Sequence, residues 1–364
     1  MLTDPLATQS FILSMADSAH RHGASIMPCM SNPNVLLFAT MTPAITHARA
    51  SPDSHPNSRN YIGFGGVSAW FWAVGIWPFK DVFYTNSTSK EGAANIPNSG
   101  YDKGRGEDQP WTHAVVAALS GGGVAPGDVV GGSDVDLILQ TCRSDGVLLK
   151  PTSPAAYIDR TWQALFRLPD KGGAGVGVSG LGETSCADSV VSGLLYKICY
   201  VLPPTRATAI EPAHIGLGSL RAAQGDSYVV YTQRKYGGVM SGVERFGAGK
   251  LALKVEEHAC NEAPDCLDST QLFVAAPVLP NGWCVLGETT KIVSVSAQRI
   301  ASISAGSDGA AVVVDLIGAS GEHVEMGFMD AGGQVVVLRC AVGLSGRVRM
   351  RAGAASDANT CVPE

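Results

Sequence analysis

The spacing of apolar positions changes character near residue 157. Before that point, short apolar runs alternate with helix-like spacings, the pattern of βα units on a parallel sheet. Asp4-Pro5 suits a helix start, with the acid as cap and the proline in the first turn, and Gly23 closes the helix predicted over 6–22. Residues 25–30 predict a strand, 34–41 a short helix and 44–48 the next strand. The run over 64–75 is apolar on nearly all sides and predicts a buried helix. A strand over 81–84, a helix over 110–119 that begins with Pro110, a strand over 123–126 and an amphipathic helix over 134–142 follow. These make about four βα units, half the complement of an eight-fold barrel. A doubly wound sheet would need a phosphate-binding loop after its first strand, and the sequence has none there.

From residue 157 on, helical spacing is almost missing. Segments at 190–201, 227–232, 250–255, 271–275, 283–286, 292–295, 310–316, 323–328, 334–342 and 346–351 are rich in Val and broken by Gly, Asn and Asp turns such as Asp330-Ala331-Gly332-Gly333. They predict an antiparallel β-sandwich over 157–355. Lys150-Pro151-Thr152-Ser153-Pro154 reads as a stiff connector from the 1–156 domain, and 356–364 as a frayed tail.

Composition narrows the function classes. The 364 residues are 45% hydrophobic and 16% charged, the balance of a globular protein. A formal net charge of −6 with scattered Lys and Arg gives no basic stripe for nucleic acid. No apolar run approaches the ~20 residues of a membrane span, and 1–25 shows no signal-peptide pattern. Nine cysteines at irregular spacing read mainly as unpaired thiols, although Cys260 and Cys266 could close a small loop. Asn86-Ser87-Thr88 forms a glycosylation triplet by sequence. The compartment stays open.

Candidate chemistry centres on Arg49 and Asp53, four residues apart where a strand runs into a loop. Barrel enzymes draw catalytic groups from such strand ends, because those loops face one shared mouth. A carboxyl there suits a general acid, with Arg49 beside it to hold a sugar hydroxyl; the competing reading is an Asx-turn with an exposed ion pair. His55 is close enough in sequence to contact Asp53 or a sugar. Asp128, in Pro126-Gly127-Asp128, is either a sugar contact or a turn residue. Trp77, Lys80 and Asp81 are expected before or at the start of their strand, the wrong end for chemistry, and His47 within the core. Residues 175–180 match G-x-G-x-x-G, but a polar run precedes them and the following segment is strand-like, which argues against a dinucleotide site.

Arg49-Ala50-Ser51-Pro52-Asp53-Ser54-His55-Pro56 resembles the acid/base motif of glycoside hydrolase family 36, the α-galactosidases and raffinose synthases, in which an Arg precedes the acid/base Asp by the same spacing. Trp77-Pro78-Phe79-Lys80-Asp81-Val82-Phe83 is similar to the strand after that loop. Residues 113–120, 121–128 and 135–150 are similar to the family's last helix-strand-helix. The resemblance covers about residues 25–160. It implies an α/β plus all-β fold: the C-terminal half of a (β/α)8 barrel followed by an antiparallel β-sandwich. It further implies Asp53 as acid/base, with Arg49 and Asp128 contacting substrate, a carbohydrate partner of galactoside type, and no metal or organic cofactor. Retaining chemistry also needs a second carboxylate as nucleophile, about 5 Å from the first. In the family it ends the fourth strand, so the expectation is that this chain lacks it; Asp4 is better explained as a helix cap. The expected function is retaining hydrolysis or galactosyl transfer. The alternative is a non-catalytic carbohydrate-binding or structural remnant. No nucleic acid or membrane partner is expected, whereas the raw sheet edges of a half barrel invite self-association.

Overall fold

The computed structural model describes residues 4–29, 31, 33–86, 107–166, 183–202, 208–217, 228–233, 241–246, 253–255, 270–306, 309–353 and 358–364. The first part is helical with short extended segments. Helix α1 (Pro5–Arg21) is capped by Asp4, whose side chain accepts the Leu6 N–H at 2.9 Å. Helix α2 (Pro33–Ala39) precedes strand β1 (His47–Arg49), helix α3 (Phe64–Ala73) precedes strand β2 (Trp77–Phe79), and α4 (Pro110–Leu119) and α5 (Val135–Leu139) follow.

Strands β1 and β2 pair in parallel, His47 opposite Trp77 and Arg49 opposite Phe79. The strip extends on both sides. Ile26 N–H reaches the Ala44 carbonyl and Arg49 N–H the Pro28 carbonyl, each at 2.9 Å, so residues 26–28 run beside β1 in the same direction. On the far side Phe83 makes a parallel bridge to Pro126. Short extended segments thus alternate with α2, α3 and α4 as the apolar period predicts. The strip is open rather than closed among the described residues. The strand expected over 81–84 lies earlier, at 77–79, and those over 25–30 and 123–126 shrink to a few backbone bonds.

Helix α4 is buried along its whole length, which its apolar circumference requires. Its Trp111 indole N–H donates to the Thr270 carbonyl at 3.3 Å, tying the helix to the β-rich half. Helix α3 is not buried all round. Phe71 faces the core, but Trp70 is 71% exposed and borders an apolar cavity of about 330 Å³ between α2 and α3. Its inner face is glycine for a steric reason: a Cβ on Gly65 would stand 2.3 Å from Ser185 Oγ and 2.6 Å from Tyr157 Cδ1. Gly65→Ala is therefore expected to cost about 1–3 kcal/mol through overpacking, read as a lower urea midpoint. An unchanged midpoint would remove this account of how α3 seats on the β half.

The β-rich half begins with β3 (Ala156–Tyr157), helix α6 (Asp159–Phe166), β4 (Thr184–Val191), β5 (Leu194–Val201), β6 (Thr208–Ile210), β7 (Tyr228–Gln233), β8 (Ser241–Phe246), β9 (Leu253–Val255) and β10 (Gln271–Pro277). It continues through β11 (Cys284–Gly287), β12 (Ile300–Ala305), β13 (Ala311–Ile317), β14 (His323–Met329), β15 (Val335–Ala341), β16 (Arg347–Gly353) and β17 (Thr360–Pro363). The described pairings here are antiparallel: one sheet runs β3-β4-β5-β10-β7-β8, another β11-β14-β15 and a third β12-β13-β16-β17. Alternation assigns the two faces of the first sheet. Ile198, Tyr231 and Val274 join a core shared with Val314, Met326 and Met350, while Cys199, Val230 and Phe273 pack with Ile158 and Ile215 on the other side.

Two expectations are corrected here. The tail is not wholly frayed, because β17 pairs with β16 and Cys361 forms a disulfide with Cys340. The cysteines are also less free than expected, since Cys186 and Cys199, opposite one another on β4 and β5, form a second disulfide. Cys29 and Cys142 are free thiols, and Cys260 and Cys266 lie outside the described residues, as do residues 175–180. The physical reason is register, which places distant cysteines side by side and which their spacing in the chain does not reveal. Cys361→Ser removes a crosslink spanning 21 residues, an expected loss of about 3 kcal/mol. Urea unfolding with and without reductant checks it: reductant should lower wild-type stability more than that of the variant. Among the described residues no helix is long and apolar enough to cross a membrane.

Candidate functional site

Because β1 and β2 run in parallel, the residues that follow them emerge at one end. Ala50 N–H bonds to the Phe79 carbonyl at 2.9 Å, and the chain then leaves β1 through Ser51-Pro52-Asp53. Asp81 leaves β2 at the same end. This corrects the expectation that placed Lys80 and Asp81 at a strand's beginning: β2 ends at Phe79, so both follow it.

Arg49 is the hub. Its side chain is 7% exposed and forks, Nη2 reaching Asp53 Oδ1 at 2.6 Å and Nη1 reaching Asp81 Oδ2 at 3.0 Å. The two carboxylates differ in what else they do. Asp81 Oδ2 also accepts the Ser54 N–H at 3.0 Å, its Oδ1 accepts the Val82 N–H at 2.9 Å, and its own N–H donates to Ser51 Oγ at 3.0 Å. Asp81 is therefore a clamp on the loop that carries Asp53. The Asp53 side chain is 65% exposed and stands out from the rim.

The far side of that loop is held just as firmly. Glu107 Oε2 accepts the Asn57 N–H and its Oε1 the Gln109 N–H, both at 3.0 Å. Arg59 makes a two-pronged pair with Asp108, both distances 2.8 Å, and Asp108 N–H donates to Asn57 Oδ1 at 2.9 Å. His113 Nε2 lies 3.1 Å from the Ser58 carbonyl, which can only accept, so Nε2 carries the proton. Asn57 itself sits at φ +60°, a left-handed conformation that costs an L-residue of order 1 kcal/mol, least for Asn. Its surroundings hold it there.

Beneath the rim lies a set of buried ionisable groups. Lys80 is fully buried, with Nζ donating to the Asp81 carbonyl at 3.2 Å and lying 5.8 Å from the Phe83 ring centre. Burial pulls its pKa down to about 7 against the nearby charges of Glu107 and Asp81. Burial likewise pushes the Glu107 carboxyl up to about 7, against the two backbone N–H groups it accepts. His113 is kept neutral by burial first and by the charges of Lys80 and Arg59 second.

The structure thus brings Arg49 and Asp53 together as expected. Asp128 follows the 125–127 segment, but its oxygens are taken by Thr85, N–H at 2.9 Å and Oγ1 at 2.7 Å, so it pins a loop. His55 Nδ1 lies 3.1 Å from the Pro56 carbonyl. Glu107, Asp108 and His113 were missed by sequence reasoning. The first two end a long polar stretch with no periodicity to single them out, and His113 reads as one polar position on an apolar helix. No protein-family model matches the chain, and no curated protein matches it in sequence.

Proposed function

We propose that this chain is a glycoside hydrolase-like protein in which Asp53 is the proton donor at the rim of a partial (β/α) barrel, followed by an antiparallel β-sandwich. One observation carries the reading: a buried Arg49, fixed by Asp81, presents an exposed Asp53 at the end of a strand with parallel neighbours. A carboxyl so placed protonates the departing glycosidic oxygen as a nucleophile bonds to the anomeric carbon, and then takes a proton from the water that displaces that nucleophile. Arg49 is near enough to hold a neighbouring hydroxyl, and an α-galactoside-like sugar is the substrate class that the motif resemblance favours. Asp128 and His55 stay in this reading only as outer sugar contacts. The same reading carries self-association through the edges of the open strip; sedimentation that finds monomer alone would exclude it.

A second reading, a non-catalytic carbohydrate-binding remnant, is favoured by a specific observation. Asp81, joined to Asp53 through one guanidinium, has both oxygens committed to Arg49, Ser54 and Val82 and is not placed to attack an anomeric carbon. An assay on an aryl α-galactoside, with Asp53→Asn alongside, separates the two. Turnover in the wild type that falls in the variant supports the enzyme. Equal, background-level turnover in both supports the remnant.

A further inference from the structure

We infer that Glu107 is a positioning residue: its buried carboxylate fixes Asn57 in the left-handed conformation and so sets where the loop presents Asp53. The importance of that placement rests on the proton-donor reading above, but the placement itself does not.

The loop over 51–59 leaves β1 and, beyond the Arg49–Asp53 pair, is fastened by the next βα unit. Asp81, just after β2, takes Ser54 N–H; Glu107, just before α4, takes Asn57 N–H; Asp108 takes Arg59; and His113, on α4, takes the Ser58 carbonyl. Asn57 is the pivot, because its N–H, side-chain oxygen and carbonyl are all engaged, the last by Arg59 Nη1 at 3.2 Å. Its positive φ identifies the point where the loop reverses. A left-handed Asn is held only as long as its partners over-determine it, and Glu107 is the partner on its amide. The carboxylate accepts two backbone N–H groups at once, one per oxygen, so it needs both oxygens free of protons.

The groups facing Glu107 are Lys80 from the end of β2, His113 from α4 with Nε2 at 3.6 Å, and Asp108 and Arg59 from the adjoining loops. With His113 neutral and Asp108 paired to Arg59, Lys80 and Glu107 favour one another's charged forms against burial. Protonation of Glu107 replaces one acceptor by an O–H donor and releases one of the two N–H groups.

Amide hydrogen exchange of Asn57, normalised for intrinsic rate, tests this without any substrate. In the wild type, protection of Asn57 or Gln109, the two N–H groups that Glu107 accepts, is expected to rise between pH 6 and pH 8, because burial places the Glu107 titration near 7. In Glu107→Leu, which offers neither N–H an acceptor, Asn57 should exchange at least about tenfold faster with no pH-linked change, while Phe273 and Ile198 in the β core keep their protection. A wild-type profile flat at both Asn57 and Gln109, unchanged Asn57 exchange in a folded Glu107→Leu, or equal loosening of the β core would each overturn the inference. If Glu107→Leu does not fold, the wild-type profile alone decides. Loss of Asn57 protection in a protein with no galactoside turnover would leave the Glu107 role standing and remove the glycosidase reading.

Discussion

Asp53→Asn is expected to lower kcat/KM on an α-galactoside with a poor leaving group by about 10²–10⁴, the usual contribution of a positioned general acid. The change is nearly isosteric, so the variant should fold as the wild type does. Asp53 is exposed, its ion pair with Arg49 is a rim contact, and the loop's other fastenings at Ser54, Asn57, Ser58 and Arg59 do not involve it. Arg49 keeps its pair with Asp81 in the variant, and an ion pair with one partner in solvent contributes about 1 kcal/mol. A large rate loss with an unchanged urea midpoint therefore assigns the effect to chemistry. A rate loss matched by a fall in stability would assign it to loop collapse instead.

Glu322→Gln is expected to give a large stability loss. Arg299 is 1% exposed and its guanidinium is shared between Glu288, at 2.7 Å, and Glu322, at 2.6 Å and 3.0 Å, with Nη1 also donating to the Ile317 carbonyl at 2.9 Å. Glu322 further accepts the Ala319 N–H at 2.9 Å and the Ser144 N–H at 3.0 Å, so it joins the β half to the loop after α5. Burial alone would raise the Glu322 carboxyl, but the hydrogen bonds and charge of Arg299 outweigh it and bring the pKa from 4.5 to about 2. That depression corresponds to about 3 kcal/mol. Removing one partner of a buried pair costs a similar amount, about 3–5 kcal/mol, because the remaining charge stays desolvated. The sign with pH follows. The contribution is complete above pH 4.5, where the unfolded group is ionised, and fades as pH falls towards 2. Urea titrations should show wild type and variant about 3 kcal/mol apart at pH 7 and converging between pH 4.5 and 2. A gap that stays constant with pH would contradict the ionic origin.

Much of this architecture was legible in the apolar pattern, for physical reasons that also explain what was not. Helix α4 is apolar on every side, and a helix of that kind has nowhere to go but the interior; its bounds were read correctly. Helix α3 has the same composition yet leaves Trp70 in solvent, because hydrophobicity alone does not say which faces find neighbours. The pairing of Arg49 with Asp53 is local, set by four residues of chain, and local geometry can be read from sequence. Asp81 was assigned to the wrong end of its strand because Lys80 and Asp81 looked like a polar lead-in to Val82 and Phe83. The chain instead pairs at Trp77–Phe79 and only touches its next neighbour at Phe83. Glu107, Asp108 and Asn57 meet across about fifty residues, and the disulfides across strand registers; such contacts depend on the finished fold.

The central claim is that Asp53 donates a proton to a departing glycosidic oxygen, and leaving-group dependence tests it most directly. A dinitrophenyl galactoside leaves without protonation, whereas a methyl galactoside does not. The wild-type to Asp53→Asn ratio of kcat/KM should be large for the methyl substrate and smaller by at least about tenfold for the dinitrophenyl one. The same ratio for both leaving groups, or no turnover of either by the wild type, would contradict the account.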